Sequence, residues 1–285
     1  MENSGFEFSA TYRNRDHAFK YDISANLSTL KNKVTSLGIG KDSYISGAYA
    51  TYVGQEIGQF YGWVYEGIAR TQADLDNHAT QQGVNVGDCL YKDISGPEGT
   101  PDGVIDAYDQ TVLGSGLPKV NFGLSTHMEY KGFDLNISTY GVLNYHVSDD
   151  IYNSLNSCYG YGNKEVGMLD ANRWSEDGTY LSSVPRTYAA NNATLAWNDL
   201  FSSRKIQNAA YWKIANVELG YNFPDKWFGG YVSGVRLYVS AQNLYTFTGY
   251  HGYNVDYAGG TFTPGYNFCS FPSARTFMAG LHFTF

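Results

Sequence analysis

The stretch FKYDISANLS, residues 19–28, shows the pattern that decides the fold, because apolar and polar side chains alternate along it without a break. One parity carries Phe, Tyr, Ile, Ala and Leu, and the other carries Lys, Asp, Ser, Asn and Ser. Successive side chains of a β-strand point to opposite faces of its sheet. The stretch therefore predicts a strand with one apolar and one polar face.

The same separation of parities recurs along the chain. Clear runs lie near 6–13, 120–130, 133–138, 215–221, 235–242 and 276–285, and weaker candidates lie near 44–53 and 58–66, which makes nine predicted strands. The clear runs reach about ten residues, close to the ~9–11 that cross a bilayer when tilted and longer than the ~5–6 of ordinary sheets. A soluble β-sandwich would show the same alternation, so it stays an alternative at this point.

Composition supports an all-β chain and excludes two classes. Aromatic residues make up 16%, with 26 Tyr and 32 Gly, which suits many strands joined by turns. No window reaches the ~18 continuous apolar residues of a spanning helix, so a helical membrane protein is excluded. The net charge is −8 without a basic cluster, which excludes a nucleic-acid partner.

The lengths of the connections favour a membrane barrel. Short connections at 54–57, 131–132 and 223–234 alternate with long ones at 67–118, 143–210 and 245–274, so all long loops should lie at one end of the sheet. Outer-membrane barrels have short periplasmic turns and long extracellular loops. Nine strands that begin outside cannot close into an even-stranded barrel, so the count predicts a piece of a larger one.

Several motifs occur in a characteristic order. The most specific is RLYVSAQNLYTFTGY at 236–250, followed by GYNVD at 252–256 and PSARTF at 272–277; upstream lie FYGWVYEGI at 60–68, DGVID at 102–106, KGFDL at 131–135 and YWKIANVELGYNFP at 211–224. Together they resemble the SusC/RagA family of TonB-linked outer-membrane receptors from about residue 5 to residue 285. The segment Asn254-Val255-Asp256 departs from the family's Asp-Pro-Glu.

The resemblance implies a transmembrane β-barrel of about 22 strands with a plugged lumen. Residues 1–285 would be its C-terminal part, without the plug domain and the N-terminal barrel strands. The implied function is TonB-dependent import of oligosaccharides or peptides across the Gram-negative outer membrane. The implied partners are a SusD-like surface lipoprotein, the TonB complex acting through the missing plug, outer-membrane lipid, and the barrel-assembly machinery, which would recognise the strand that ends at Phe285.

One acidic segment is a candidate calcium site. Asp102, Asp106 and Asp109 are spaced i, i+4, i+7, and Asp93 precedes them. Calcium prefers several carboxylate and carbonyl oxygens from a tight loop. An insertion of eight residues after Asp93, from Ile94 to Pro101, breaks the usual geometry of a calcium-binding loop, and no Glu closes the loop. A solvated acidic loop is the competing interpretation.

Other chemistry is sparse. The six histidines are scattered, and neither a His-Glu-x-x-His pair nor a Gly-x-Ser-x-Gly elbow occurs, so we do not expect an enzyme. Cys89, Cys158 and Cys269 allow one bridge or three free thiols. Trp212 and Trp227, near strand ends, predict an interfacial aromatic girdle. A small self-contained pore or adhesion barrel and a soluble carbohydrate-binding β-sandwich remain alternative functions.

Overall fold

The computed structural model describes residues 1–38, 40–157, 163–166, 184–187, 197–228, 232–256, 259–268 and 270–285. The first ten strands are β1 (Glu2–Ser4), β2 (Glu7–Asn14), β3 (Phe19–Thr29), β4 (Lys31–Lys33), β5 (Ser43–Ser46), β6 (Tyr49–Tyr52), β7 (Gln59–Gly62), β8 (Tyr65–Ile68), β9 (Cys89–Tyr91) and β10 (Thr111–Gly114). The others are β11 (Val120–Tyr130), β12 (Phe133–Leu143), β13 (His146–Asp149), β14 (Gln207–Asn208), β15 (Tyr211–Asn222), β16 (Gly234–Thr248), β17 (Gly259–Gly260), β18 (Thr263–Pro264), β19 (Tyr266–Asn267) and β20 (Thr276–Thr284). Two short helices are α1 (Gln72–Asp76) and α2 (Asp150–Leu155).

The long strands form one antiparallel sheet of seven in the order β2-β3-β11-β12-β15-β16-β20. This confirms the predicted fold class, an antiparallel barrel segment. The count of nine was wrong, because the weak candidates at 44–53 and 58–66 belong to a separate sheet, β10-β7-β6-β5. Gly47, Gly54 and Gly58 adopt positive φ angles of 56°, 90° and 60°. Turns at these glycines divide the segment into strands of four residues, too short to cross a bilayer.

The connections of the seven-stranded sheet sort by length, although the predicted short connection at 54–57 lies within the separate sheet and the predicted long one at 67–118 extends over 30–119. Those at 15–18, 131–132 and 223–233 are short, and those at 30–119, 144–210 and 249–275 are long, in strict alternation. Because neighbouring strands are antiparallel, every long connection leaves the same end of the sheet. The two-residue turn has positive φ at Lys131 (48°) and Gly132 (88°), which matches the right-handed twist of a hairpin.

Strand register aligns the apolar parities on one face. Leu135 of β12 lies opposite Met128 of β11 and Leu219 of β15, and Leu219 in turn lies opposite Val239 of β16. Val239 then pairs with Ala279 of β20. The face is exposed rather than packed, and Val239 alone leaves 52% of its surface open. A one-residue slip in any strand would turn its apolar set to the other face.

A bulge in β15 changes the predicted parity of that strand. Ala215 has no partner in either neighbour: against β12, Ile214 and Asn216 follow each other in register, whereas against β16 Asn243 and Leu244 also stay unpaired. Trp212 and Ile214 therefore share the apolar face with Val217, although the simple alternation assigns them to the opposite one. A β-bulge inserts one unpaired residue and re-aims the side chains before it.

The long connections fold into a second layer of small sheets, here called the loop tier. It contains most of the buried side chains, including Phe60, Cys89, Tyr91 and Tyr145. Tyr91 packs against Trp63 and Trp197 at ring-centroid distances of 6.4 and 6.0 Å. The buried hydrophobic side chains thus lie mostly in the loop tier, and Val142 and Tyr211 of the seven-stranded sheet join one of its clusters. None of the helices in the described ranges is both long and apolar enough to span a membrane.

Candidate functional site

The outer face of the seven-stranded sheet carries aromatic side chains at both of its ends. At the short-turn end Phe133 contacts Tyr221 at 4.7 Å between ring centroids, and Phe223 contacts Trp227 at 5.7 Å. At the loop-tier end Trp212 stacks on Phe247 at 5.3 Å. Aromatic residues flanking an apolar band are typical of transmembrane barrels at the two headgroup levels. The structure places both Trp212 and Trp227 where the girdle interpretation requires them.

The inner face carries a charged cluster near the short turns. The Arg236 guanidinium donates through Nε to Asp134 Oδ2 at 3.0 Å and through Nη2 to Glu218 Oε1 at 2.7 Å. The Asn222 amide donates to the same Asp134 oxygen at 2.9 Å. Gly220 makes room for the cluster, since a Cβ there would lie 2.5 Å from both Arg236 and Asp134. This charge-assisted network joins β12, β15 and β16.

A second polar cluster continues the first toward β3. The His127 ring nitrogens lie 2.7 Å from Asn136 Oδ1 and 2.8 Å from Glu129 Oε1, and Lys20 Nζ lies 3.8 Å from Glu129 Oε2. Acidic side chains on β11, β12 and β15 thus lie between a lysine on β3 and an arginine on β16 along this level of the inner face. The alternation assigns His127 to the lumen side, and the structure places its ring in this network.

Glycine also explains the one aromatic residue on the polar parity of β16. Tyr238 lies opposite Gly280 of β20, where a Cβ would come within 2.5 Å of its ring. The Arg236 guanidinium lies 5.2 Å from the ring centroid. Tyr238 therefore lies flat over Gly280 and supports the charged cluster by a cation–π contact.

At the loop-tier end of the inner face lies a lysine with very little solvent contact. Lys213 is 3% exposed and its Nζ lies 2.5 Å from Asp256 Oδ2, an oxygen carried by the 249–275 connection. Tyr140 donates to the other oxygen of Asp256 at 3.1 Å. The cluster was not predicted from the sequence, in which Asp256 stands only as part of the motif GYNVD. The position of Lys213 on the polar face of β15 would have indicated the cluster, but this position can be assigned only when the bulge at Ala215 is known.

The four carboxylates of the candidate calcium site are engaged with backbone N–H groups. Asp93 accepts from Gly103 at 2.7 Å, Asp102 from Val104 at 3.0 Å and Asp106 from Tyr108 at 2.8 Å. Asp109 is fully buried and accepts from Ile94, Ser95 and Asp106. Within the described ranges no group of three or more His, Cys, Asp or Glu side chains could hold a metal ion. Calcium binding by this segment stays a prediction.

Two further titratable side chains of the loop tier, Cys89 and His146, have pKa values that are shifted by burial. Cys89 is a buried free thiol whose pKa is raised to about 11 by burial. Cys158 and Cys269 lie outside the described residues. The His146 ring has its pKa lowered by burial, with a smaller contribution from the Lys119 charge.

Comparison with known proteins gives relatives over the full length of the chain. It is 30% identical to the TonB-dependent receptor P3 of Formosa agariphila and 25% identical to the TonB-dependent receptor SusC of Bacteroides thetaiotaomicron. Both alignments cover 100% of this chain, but only 29% and 26% of those relatives. No protein-family model matches the chain.

Solved structures share the fold. The RagAB peptide transporter superposes with a TM-score of 0.76 at 21% identity, covering 98% of this chain and 28% of that one. The RagAB peptide importer in its closed-closed state gives the same score over 98% of this chain and 29% of that one. Along its whole length, the chain is thus similar in sequence to TonB-dependent receptors, SusC among them, and it shares the fold of part of the RagAB structures.

Proposed function

We propose that this chain forms a sector of the wall of a TonB-dependent outer-membrane receptor that imports a nutrient. One observation carries the proposal: a single sheet with an apolar, exposed outer face, a charged inner face and all long connections at one end. Lipid favours an apolar outer face, and a water-filled or plugged lumen favours a charged inner face. Long connections at one end are typical of the extracellular end of such a barrel.

The remainder of the barrel is part of the proposal. The curated relatives are three to four times longer than the aligned region, which spans 26–30% of their length. In the described part of the chain, β2 and β20 each pair on one side only. Open edges are not tolerated in lipid, so additional strands pair with them in the receptor. We place this sector at the C-terminal end of the barrel, with the plug and the other strands upstream.

The proposed cargo is an oligosaccharide or a peptide. The RagAB structures are described as a peptide transporter, and SusC is named a TonB-dependent receptor. The loop tier is the surface that a SusD-like lipoprotein would cover, because every long connection is there. The TonB complex would act through a plug domain, and the barrel-assembly machinery would recognise β20 and Phe285, which is 91% exposed.

The proposal is tested by comparing two forms of the protein in a Gram-negative outer membrane. One form is the chain of 285 residues behind a signal peptide, and the other is the complete receptor that contains it. We expect the complete receptor to resist urea extraction and to show heat-modifiable migration, while the chain alone does neither. Insertion of the chain alone would support a small self-contained barrel, and extraction of both forms without detergent would support a soluble sandwich.

A further inference from the structure

An arginine of the loop tier, Arg204, is half-buried in a 3₁₀ turn formed by Ser203–Lys205. In the part of the chain that the structure describes, its guanidinium forms neither a hydrogen bond nor an ion pair. Arg186 and Arg236, by contrast, each donate through two nitrogens to one aspartate. A charge that is partly removed from water favours a partner of opposite charge, because its burial is otherwise costly. Arg204 therefore has capacity for an anion.

The backbone that carries Arg204 is fixed against β8. The backbone N–H of Ser203 donates to Trp63 O at 3.0 Å, and Ser203 Oγ accepts from the backbone N–H of Tyr65 at 3.0 Å. Ser202, which precedes the turn, is only 1% exposed. The turn thus holds Arg204 in place through its backbone, and its side chain is not needed to keep the turn folded.

Arg204 lines a cavity of about 250 Å³ between this turn and α2. Tyr65 lines the cavity from β8, and Tyr152 and Asn156 line it from α2 and its C-terminal cap. The helix is fixed at its start by Asp149, whose Oδ1 accepts from the backbone N–H of Tyr152 at 2.8 Å. The volume is slightly below the ~300–1,000 Å³ of pockets that hold a whole ligand. It therefore suits one end group of a larger ligand.

The charges that line the cavity sum to one positive charge. Arg204 and Lys205 contribute two positive charges, and Asp199 contributes one negative charge. Lys205 Nζ donates to the carbonyl oxygen of Asp199, and Asp199 Oδ2 accepts from Ser157 Oγ at 3.3 Å. Lys205 and Asp199 are thus engaged with other groups. Arg204 is the charged group of this cavity that a ligand could pair with directly.

A guanidinium in this setting favours a carboxylate. Its N–H groups form a planar fork that matches the two oxygens of a carboxylate, and such charge-assisted pairs are stronger than neutral hydrogen bonds. A guanidinium is also less strongly hydrated than an ammonium group, so pairing requires less desolvation. Tyr65 and Tyr152 provide aromatic surface for the part of the ligand that carries the carboxylate.

We propose that this cavity, the Arg204 site, binds a carboxylate of the cargo and that Arg204 determines the preference for it. The inference rests on the proposed function, which makes the loop tier the surface that meets the cargo. A carboxylate is present at the C-terminus of a peptide and on a uronic acid of an oligosaccharide. The site therefore selects members of either proposed cargo class that carry this group. Neutral oligosaccharides and peptides with a blocked C-terminus bind less tightly.

The test measures binding of two matched pairs of probes to the complete receptor by isothermal titration calorimetry. One pair is tetraalanine and tetraalanine amide, and the other is trigalacturonate and its methyl ester. We expect at least one carboxylate probe to bind about tenfold more tightly than its neutral counterpart. A preference in the peptide pair alone assigns the site to a peptide C-terminus, and one in the sugar pair alone assigns it to a uronic acid. Equal affinities within both pairs, absence of binding included, would overturn the Arg204 site.

Three variants test whether Arg204 is the cause of the preference. Arg204→Gln removes the charge and should reduce the preference to within about twofold, and Arg204→Lys keeps a charge without the planar fork and should reduce it about threefold. Arg70→Gln changes an exposed arginine outside the cavity lining and should leave the preference as it is. Heat-modifiable migration identifies the variants that are assembled. An unchanged preference in an assembled Arg204 variant would overturn the role of Arg204, whereas failure of the unaltered receptor to insert would overturn the proposed function.

Discussion

Adjacent residues on β11 offer a sharp test of which face of the sheet meets lipid. Leu124 is 42% exposed on the apolar face, opposite Ala25 and Thr139, and Ser125 is exposed on the polar face, opposite Ser24 and Ser138. Both lie near the middle of the strand, so both should lie near the bilayer midplane. Arginine at either position places the same side chain and the same charge on the same strand.

The expected difference follows from the cost of a charge in lipid. Arginine on the lipid face of a barrel costs about 2–4 kcal/mol at the midplane, and substitutions that face the lumen escape this penalty. Leu124→Arg also removes a leucine side chain from lipid. Full burial of a leucine is worth about 1.5–3 kcal/mol, and roughly half of that applies here because neighbouring side chains already cover about half of its surface. We therefore expect Leu124→Arg to lower the free energy of unfolding by about 3–5 kcal/mol and Ser125→Arg by under about 1 kcal/mol.

The assay is guanidinium unfolding of the complete receptor reconstituted into phosphocholine vesicles, followed by the loss of heat-modifiable migration. The yield of assembled receptor in the outer membrane provides a second readout. Equal losses in the two variants, or a larger loss for Ser125→Arg, would refute the assignment of the two faces.

Three further perturbations test particular contacts. Arg236→Met leaves the buried Asp134 without its cation and should lower the free energy of unfolding by about 2 kcal/mol. This is below the ~3–5 kcal/mol of a fully buried pair because Arg236 is partly exposed. The double variant with Asp134→Asn should lose less than the sum of the two single variants, and additive losses in the same unfolding assay would contradict the pairing. Burial raises the pKa of the Cys89 thiol to about 11, so Cys89 should resist iodoacetamide at pH 8 in the folded receptor and react in denaturant. Mass spectrometry follows the modification, and rapid reaction of the folded protein would contradict the burial of this thiol. Gly132→Ala introduces a Cβ at a φ of 88° and 2.9 Å from Asn222 O, and it should lower the free energy of unfolding by about 1–2 kcal/mol. Gly249→Ala introduces a Cβ into open space and should lower it less. Equal losses in the two variants would contradict the turn geometry.

The sheet was predictable where alternation extends over a whole strand. Residues 19–28 and 120–138 separate cleanly because one face meets an apolar medium and the other a polar one, and their pairing in the structure follows the predicted parity. The segment 44–66 misled the strand count, since alternation is blind to the positive φ angles at Gly47 and Gly54 that turn the chain back. The bulge at Ala215 was unreadable for a related reason, because a single inserted residue leaves no compositional trace.

The inner-face clusters required long-range information. Asp134 and Arg236 lie 102 positions apart in the sequence, and their contact depends on the register of β12, β15 and β16 together. Asp256 lies in a connection without regular alternation, so nothing in its local sequence indicates that it reaches Lys213. The acidic segment at 93–109 stays a predicted calcium site from its spacing, and in the structure its carboxylates accept backbone N–H groups, a role that the spacing does not indicate.

The central claim, that this sheet is a lipid-facing barrel wall, is tested most directly by a nitroxide scan along β20. Single spin labels are placed at each position from Thr276 to Thr284 of the complete receptor in bilayers, and collision rates with oxygen and with a polar nickel chelate are measured. The account predicts high oxygen and low nickel access at Phe277, Ala279, Leu281 and Phe283, with weaker oxygen access at the residues between them. Uniform access along the strand, or an oxygen maximum at Met278, Gly280 and His282, would contradict it.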